Sequence, residues 1–234
     1  MVTVALIGAD GAGKTTMARW LEQSGGLRIK YLYMGINREA SNHVLPTTRL
    51  VRAVKRAFGG ADQGGPPDPT RKSAKKKRGL KRVWSEAKGA ARMANQLCEE
   101  WYRVSVARRF ERQGFLVLYD RHFFADYWAH DVTGSAGART YAQALHGRLL
   151  RRLPRPDRTI LLDAPAEVLF ARKGEGTLEA LDARRREYLD LCAQIPGCDV
   201  VDASRPLDEV RAQVVSILRG LTAGAPLAAG GVAS

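Results

Sequence analysis

Gly8-Ala9-Asp10-Gly11-Ala12-Gly13-Lys14-Thr15 places four residues between a first glycine and a Gly-Lys-Thr triplet, the Walker A spacing. Glycines in such a run let the backbone curl so that successive N–H groups point inward and grip phosphate oxygens. A helix opening near Lys14 adds the positive end of its dipole. The Lys14 ammonium then reaches the β and γ phosphates, and the Thr15 hydroxyl is a ligand for magnesium. Residues 8–16, closing with Thr16, predict a site for a purine nucleoside triphosphate with Mg2+. An ordinary glycine-rich turn would not need the apolar strand that precedes this run or the helical pattern that follows it.

A second group follows another apolar run. Asp120 ends it, and Arg121 and His122 come next. A strand-end carboxylate beside a phosphate cradle can hold the cation or accept a proton from the attacking group. Arg121 can grip an acceptor phosphate bidentately. The same pair could serve as a helix cap and a surface arginine, but the cradle on the same sheet edge favours the functional reading. For His122, packing or capping is favoured over catalysis. Phe123, Phe124, Tyr127 and Trp128 form an aromatic stripe that either faces a core or, through Phe124 and Tyr127, stacks on an acceptor base or ring, with Asp126 or Asp131 for hydrogen bonds.

Positioning these groups requires an α/β scaffold. Val2–Ile7, Ile29–Met34, Phe115–Asp120, Thr159–Asp163 and, more weakly, Asp199–Asp202 read as five strands. Helices are expected at about 14–24, 83–113, 139–152, 165–172, 178–194 and 206–221, with helical spacing also over 44–58. Near-continuous apolar strands separated by helices imply a parallel sheet covered on both faces. Such sheets place their sites at the carboxyl ends of strands, where Asp120, Asp163, Asp202 and the loop after Ile7 all fall.

Hydrophobic residues make up 45% of the 234, which excludes a disordered chain. Met1-Val2-Thr3-Val4 carries no basic, apolar leader, so no secretory signal is expected, and no apolar run is long enough to span a bilayer. Cys98, Cys192 and Cys198 lack metal-ligand spacing and read as reduced thiols of a cytoplasmic protein, a Cys192–Cys198 disulfide being the alternative that nothing in the sequence supports. The net charge of +14 is concentrated: residues 49–112 hold 18 Lys/Arg against 6 Asp/Glu, and residues 71–82 hold eight basic side chains. The expected organisation is one domain over 1–222, with a basic helical and loop insertion at about 45–98 and a disordered tail over 223–234.

With the cradle and the Asp-Arg pair in place, the chain resembles the thymidylate kinase family of P-loop nucleotide kinases. The likeness is carried by residues 8–16, Gly114–Arg121, Leu161–Val168 and Val201–Leu207. It implies a three-layer nucleoside monophosphate kinase-like fold, ATP as donor, Mg2+ as cofactor, a nucleoside monophosphate as acceptor and a homodimer. It implies that Asp10 contacts the acceptor's sugar hydroxyl and Arg121 its phosphate. Ser204, Arg205 and Pro206 then lie around the donor base. The loop holds no arginine, so catalytic cations are implied in a lid at Arg172-Lys173-Gly174-Glu175-Gly176, flanked by Arg184, Arg185 and Arg186. The resemblance thus implies Lys14, Asp120, Arg121, Arg172 and Lys173 as the catalytic set.

There are departures. The family's Arg-Glu-Pro-Gly stretch after the second strand is reduced here to a displaced Arg38-Glu39. The basic insertion resembles instead the thymidylate-kinase-like proteins of polysaccharide and sugar-nucleotide pathways. Phosphorylation of thymidylate is therefore the first reading. A kinase of a nucleoside, sugar phosphate or other small acceptor is the second. A nucleotide-regulated protein that grips nucleic acid or an acidic membrane surface through residues 71–82 is the third, against which stands the lack of regular aromatic interleaving.

Overall fold

The computed structural model describes residues 2–24, 26–35, 45, 80–122, 125 and 141–223, with side chains left aside at 80–92 and 141–144. The expected helix over 44–58, most of the basic run, Arg38-Glu39, Phe124, Tyr127 and the tail from 224 onward lie outside those residues.

The elements, in chain order, are β1 (Thr3–Ile7), α1 (Lys14–Gln23), β2 (Ile29–Tyr33), α2 (Leu80–Arg112), β3 (Leu116–Asp120), α3 (Tyr141–Leu150), β4 (Arg158–Asp163), α4 (Ala166–Lys173), α5 (Leu178–Gln194), β5 (Cys198–Asp202) and α6 (Leu207–Ala223). Ala223, expected to begin the tail, closes α6 instead. The five strands form one parallel sheet in the order β2-β3-β1-β4-β5, with helices around it.

β1 and β3 are buried at every residue, which is why their sequences run apolar without alternating. β5 is an edge strand of mixed burial, with Val200 49% exposed and charged residues along it, so its pattern is the weakest of the five. Register sets the site: Leu6 pairs with Asp120 on one side of β1 and with Ile160 on the other. The chain leaves β1 toward β2 and leaves β4 toward β5, so the strand order reverses at the β1–β4 boundary, the place where open α/β sheets bind ligands.

The chain clusters into two compact units. Met1–Tyr31, Phe110–Asp120 and Pro156–Ser234 form the first, and Leu32–Arg109 with Arg121–Arg155 form the second. The core of the first is built from the strands and from one face of each helix, as in α1, where Met17, Ala18 and Leu21 are buried.

One expectation is corrected. Cys192, at the end of α5, and Cys198, at the start of β5, are joined in a disulfide with Cα atoms 5.4 Å apart, so only Cys98 is a free thiol. The tight Ile195-Pro196-Gly197 turn brings the two ends together, which spacing along the chain does not reveal. No helix among the described residues is long and apolar enough to cross a membrane.

Candidate active site

The loop expected to hold phosphate, residues 8–13, runs from β1 into α1 against the backbone of β4 and α4. Gly11 has φ +88°, and a side chain there would drive its Cβ into the Leu169 carbonyl, with the Leu169 Cα only 3.1 Å away. Only glycine fits both the dihedral and the space. Gly13 caps α1 in the left-handed region and offers no side-chain bond to the helix's first N–H groups, and no acid stands in the first turn. A helix start built this way favours an anion. Lys14, 5% exposed, lies across the loop and donates from Nζ to the Ala9 carbonyl at 2.6 Å. Ala9 and Ala12 are buried, while Thr15 and Thr16 are exposed.

Three strand-end carboxylates were candidates, and their partners separate them. Asp163 receives a bidentate pair from Arg185 of α5, Nε to Oδ1 at 2.7 Å and Nη2 to Oδ2 at 2.9 Å. Asp202 accepts from the Ser204 backbone and hydroxyl, which hold its carboxyl below the usual range. Asp120 is different. It is fully buried, and its Oδ2 accepts from the Thr15 hydroxyl at 2.6 Å and the Tyr31 phenol at 3.1 Å. Its Oδ1 is buried with no hydrogen-bond partner among the described residues. A buried carboxylate oxygen left that way needs a reason.

No cluster of three or more His, Cys, Asp or Glu side chains among the described residues could cage a metal. A hydroxyl and one carboxylate with a spare oxygen, beside a phosphate cradle, fit magnesium, which keeps most of its ligands as water and phosphate.

The lid residues close the first unit's set. Arg172 and Lys173 end α4, and Gly174 terminates it in the left-handed region. Arg172 donates from Nη2 to the Ala203 carbonyl at 2.9 Å, and Ala203 N–H donates to the Asp163 carbonyl at 2.7 Å. The lid thus meets the loop of Ser204, Arg205 and Pro206, all exposed. Lys173 Nζ lies 2.7 Å from Glu175 and 3.8 Å from Asp10. The flanking arginines have partners of their own: Arg184 with Glu187, Arg185 with Asp163 and Arg186 with Asp182. That agrees with a paired helix face, with Arg185 as a pin between α5 and β4.

In the second unit, Arg121 adopts φ 62°, the one left-handed non-glycine residue among those described and a strained state of the kind kept at functional sites. A side chain at Gly35 would meet its Cδ at 2.7 Å and the Tyr33 ring at a similar distance. Arg103 of α2, 4% exposed, donates from Nη1 to the Gly35 carbonyl at 2.9 Å. Two arginines therefore converge on Gly35, two residues past the end of β2. His122 is buried, and desolvation pushes its imidazole down to about 3, so it is neutral at pH 7, as a packing role requires. A further polar group, Glu100 with His146 at 3.2 Å and Gln96 beside both, is internal to the unit.

Tyr31 and Arg103 escaped the reading of the sequence. Tyr31 carries no motif, and Arg103 sits in a stretch whose many cations hide a buried one; its signal is its place beside Val104 and Ala107 on the buried face of α2.

No family model matches the sequence. Among curated proteins, the chain is 31% identical over 230 residues to a thymidylate kinase of Alcanivorax borkumensis, covering 94% of this chain and 97% of that one. It is 30% identical over 122 residues to a probable thymidylate kinase of Archaeoglobus fulgidus, covering 46% and 55% of the two chains. It is 32% identical over 122 residues to a thymidylate kinase of Rhodopirellula baltica, covering 48% and 49%.

Proposed function

We propose, because this chain belongs to the thymidylate kinase family, that it transfers the γ-phosphoryl group of ATP to thymidine monophosphate. That it is a nucleoside monophosphate kinase follows from the family; thymidylate as acceptor is our reading. The observation that carries it is the Asp120 carboxylate, buried at the end of β3 with Oδ2 on Thr15 and Oδ1 unpartnered among the described residues.

In this reading residues 8–16 hold the triphosphate, and Lys14 moves from the Ala9 carbonyl to the β and γ oxygens. Thr15 and Asp120 would hold magnesium, which supplies charge neutralisation on the phosphates when bound. Arg172 lies on the donor-base side through its bond to Ala203, with Ser204, Arg205 and Pro206 around the base. Lys173 bears on the transferring group, and Asp10 orients the acceptor's sugar. Arg121, joined by Arg103, binds the acceptor phosphate. Phe124 and Tyr127 stack on its base. The rate comes from alignment and from cations placed where negative charge develops.

We read residues 1–222 as one catalytic domain with a basic insertion at 45–98, since β2 and α2 each contribute to both units. A homodimer is part of the proposal, with Trp101, 48% exposed on α2, as the large apolar side chain such an interface would cover. A cytoplasmic setting fits the substrates, and the disulfide is the feature in tension with it.

The test is ADP release over a panel of acceptors: thymidine monophosphate, other nucleoside monophosphates, nucleosides and sugar phosphates. Stimulation by thymidine monophosphate, abolished by Lys14→Ala, is the expected result. No stimulation by any nucleoside monophosphate would overturn it. The missing Arg-Glu-Pro-Gly stretch favours a sugar phosphate as the second reading, and the paired Arg103 and Arg121 argue for a phosphorylated acceptor over a neutral one.

A further inference from the structure

Asp120 is held by two donors with different prospects. The Thr15 hydroxyl follows Lys14 at the start of α1 and, in the reading above, would be a ligand for the cation when nucleotide binds. The Tyr31 phenol, on β2 and 8% exposed, donates to the same Oδ2 at 3.1 Å from a strand outside the phosphate loop. Oδ1, on the other side of the carboxylate, is buried and has no partner among the described residues.

From this geometry we infer that Tyr31 is a positioning residue for the metal–nucleotide complex: it fixes the Asp120 carboxylate through Oδ2, the oxygen that Thr15 also engages, and so keeps that carboxylate turned toward the loop. A carboxylate accepting from Thr15 alone could rotate about its terminal torsion, which is broad. It could then turn either oxygen to the loop. The phenol on a neighbouring strand removes that freedom, and its bond persists when the threonine hydroxyl leaves. Pre-orientation of this kind strengthens binding by removing an ordering cost that would otherwise fall at the moment of association. The inference rests on the phosphate-cradle reading above and adds a residue from a different strand that no motif marks.

The consequence is selective. Loop amides and Lys14 bind phosphate with or without metal, so losing the phenol should leave metal-free affinity alone and diminish only what magnesium adds. Isothermal titration of ATP into the full chain, once in EDTA and once in Mg2+, measures both. For Tyr31→Phe the expected result is an unchanged dissociation constant in EDTA and a magnesium-dependent gain about tenfold smaller than wild type, the worth of one hydrogen bond to a charged group. Asp120→Asn should lose the gain, and the double variant Tyr31→Phe/Asp120→Asn should lose no more than Asp120→Asn does.

Full retention of the gain in Tyr31→Phe would overturn the inference. So would an equal loss with and without magnesium, the mark of a merely structural role, or a double variant weaker than Asp120→Asn by the whole Tyr31→Phe factor. Melting curves run beside the titrations, and Tyr31→His, which restores a ring donor, should recover part of the gain. If wild-type protein binds ATP under neither condition, the cradle reading itself fails, a different outcome from a failure of Tyr31 alone.

Discussion

Lys173 at the end of α4 reaches Asp10 in the phosphate loop, Nζ to Oδ1 at 3.8 Å, while Glu175 takes the same ammonium at 2.7 Å. Both side chains of the first pair are close to half exposed, so the contact adds little to stability. Its meaning is positional. The cation stands beside an acid that the proposed mechanism gives to the acceptor, and an acceptor hydroxyl that engages Asp10 leaves Lys173 to Glu175 and the phosphoryl group.

Lys173→Ala should therefore leave the melting midpoint unchanged while kcat falls by roughly 100-fold, the scale of losing one transition-state donor. Asp10→Asn should raise the acceptor KM and leave slow ATP hydrolysis without acceptor unchanged, because Glu175 still holds Lys173. Steady-state kinetics with and without acceptor reads both. A Lys173→Ala enzyme within threefold of wild-type kcat would remove the lysine from the mechanism.

Gly35 tests the acceptor side. A methyl group there meets Arg121 Cδ at 2.7 Å and the Tyr33 ring, and it stands on the carbonyl that receives Arg103. Gly35→Ala should displace Arg121 and the Tyr33 ring and raise the acceptor KM about tenfold or more, since small misplacements of binding groups are costly. The ATP dissociation constant should not move. A variant with weakened ATP binding and normal acceptor KM would contradict the assignment.

All five strands and the helices outside the undescribed stretches were legible, because apolar runs that end in an acid or a glycine have few other ways to fold. Burial of both faces made β1, β3 and β4 unmistakable, and the half-exposed β5 was faint for the same reason. The site was legible where a motif carries it, as in residues 8–16. It was not legible where partners decide. Asp120, Asp163 and Asp202 look alike at the ends of their strands, and only the arrival of Arg185 from 22 residues away marks Asp163 as an ion-paired carboxylate. Tyr31 gains its role from β3 lying beside β2, a fact of strand order that local pattern does not hold.

His122 predicts an acid sensitivity. Its folded pKa is about 3 and its unfolded value 6.5, so below 6.5 the unfolded chain takes up a proton that the folded chain refuses. Stability is full above pH 6.5 and falls toward pH 3 by about 1.4 kcal/mol per pH unit from this group. Urea unfolding of the nucleotide-free protein at pH 7, 6 and 5 should show that slope, and His122→Gln should flatten it. Equal slopes in both proteins would mean that the imidazole is solvated.

The last prediction concerns the cysteines. The Cys192–Cys198 bond joins the end of α5 to the start of β5, and α5 carries the Arg185 that pins Asp163. Thiol titration of the protein, unfolded without reductant, should count one reactive group, Cys98, and three after reduction. The bond closes a loop of only six residues, so chain entropy limits its stabilisation to about 2 kcal/mol. Reduction should lower the melting midpoint by several degrees and leave the chain folded, because the β4–β5 pairing from Thr159–Cys198 to Asp163–Asp202 holds the strand independently. Cys192→Ser should reproduce the reduced midpoint and become insensitive to reductant. Three reactive thiols before reduction would show that the two cysteines stay apart, and the turn at Ile195–Gly197 would then have to be held by its backbone alone.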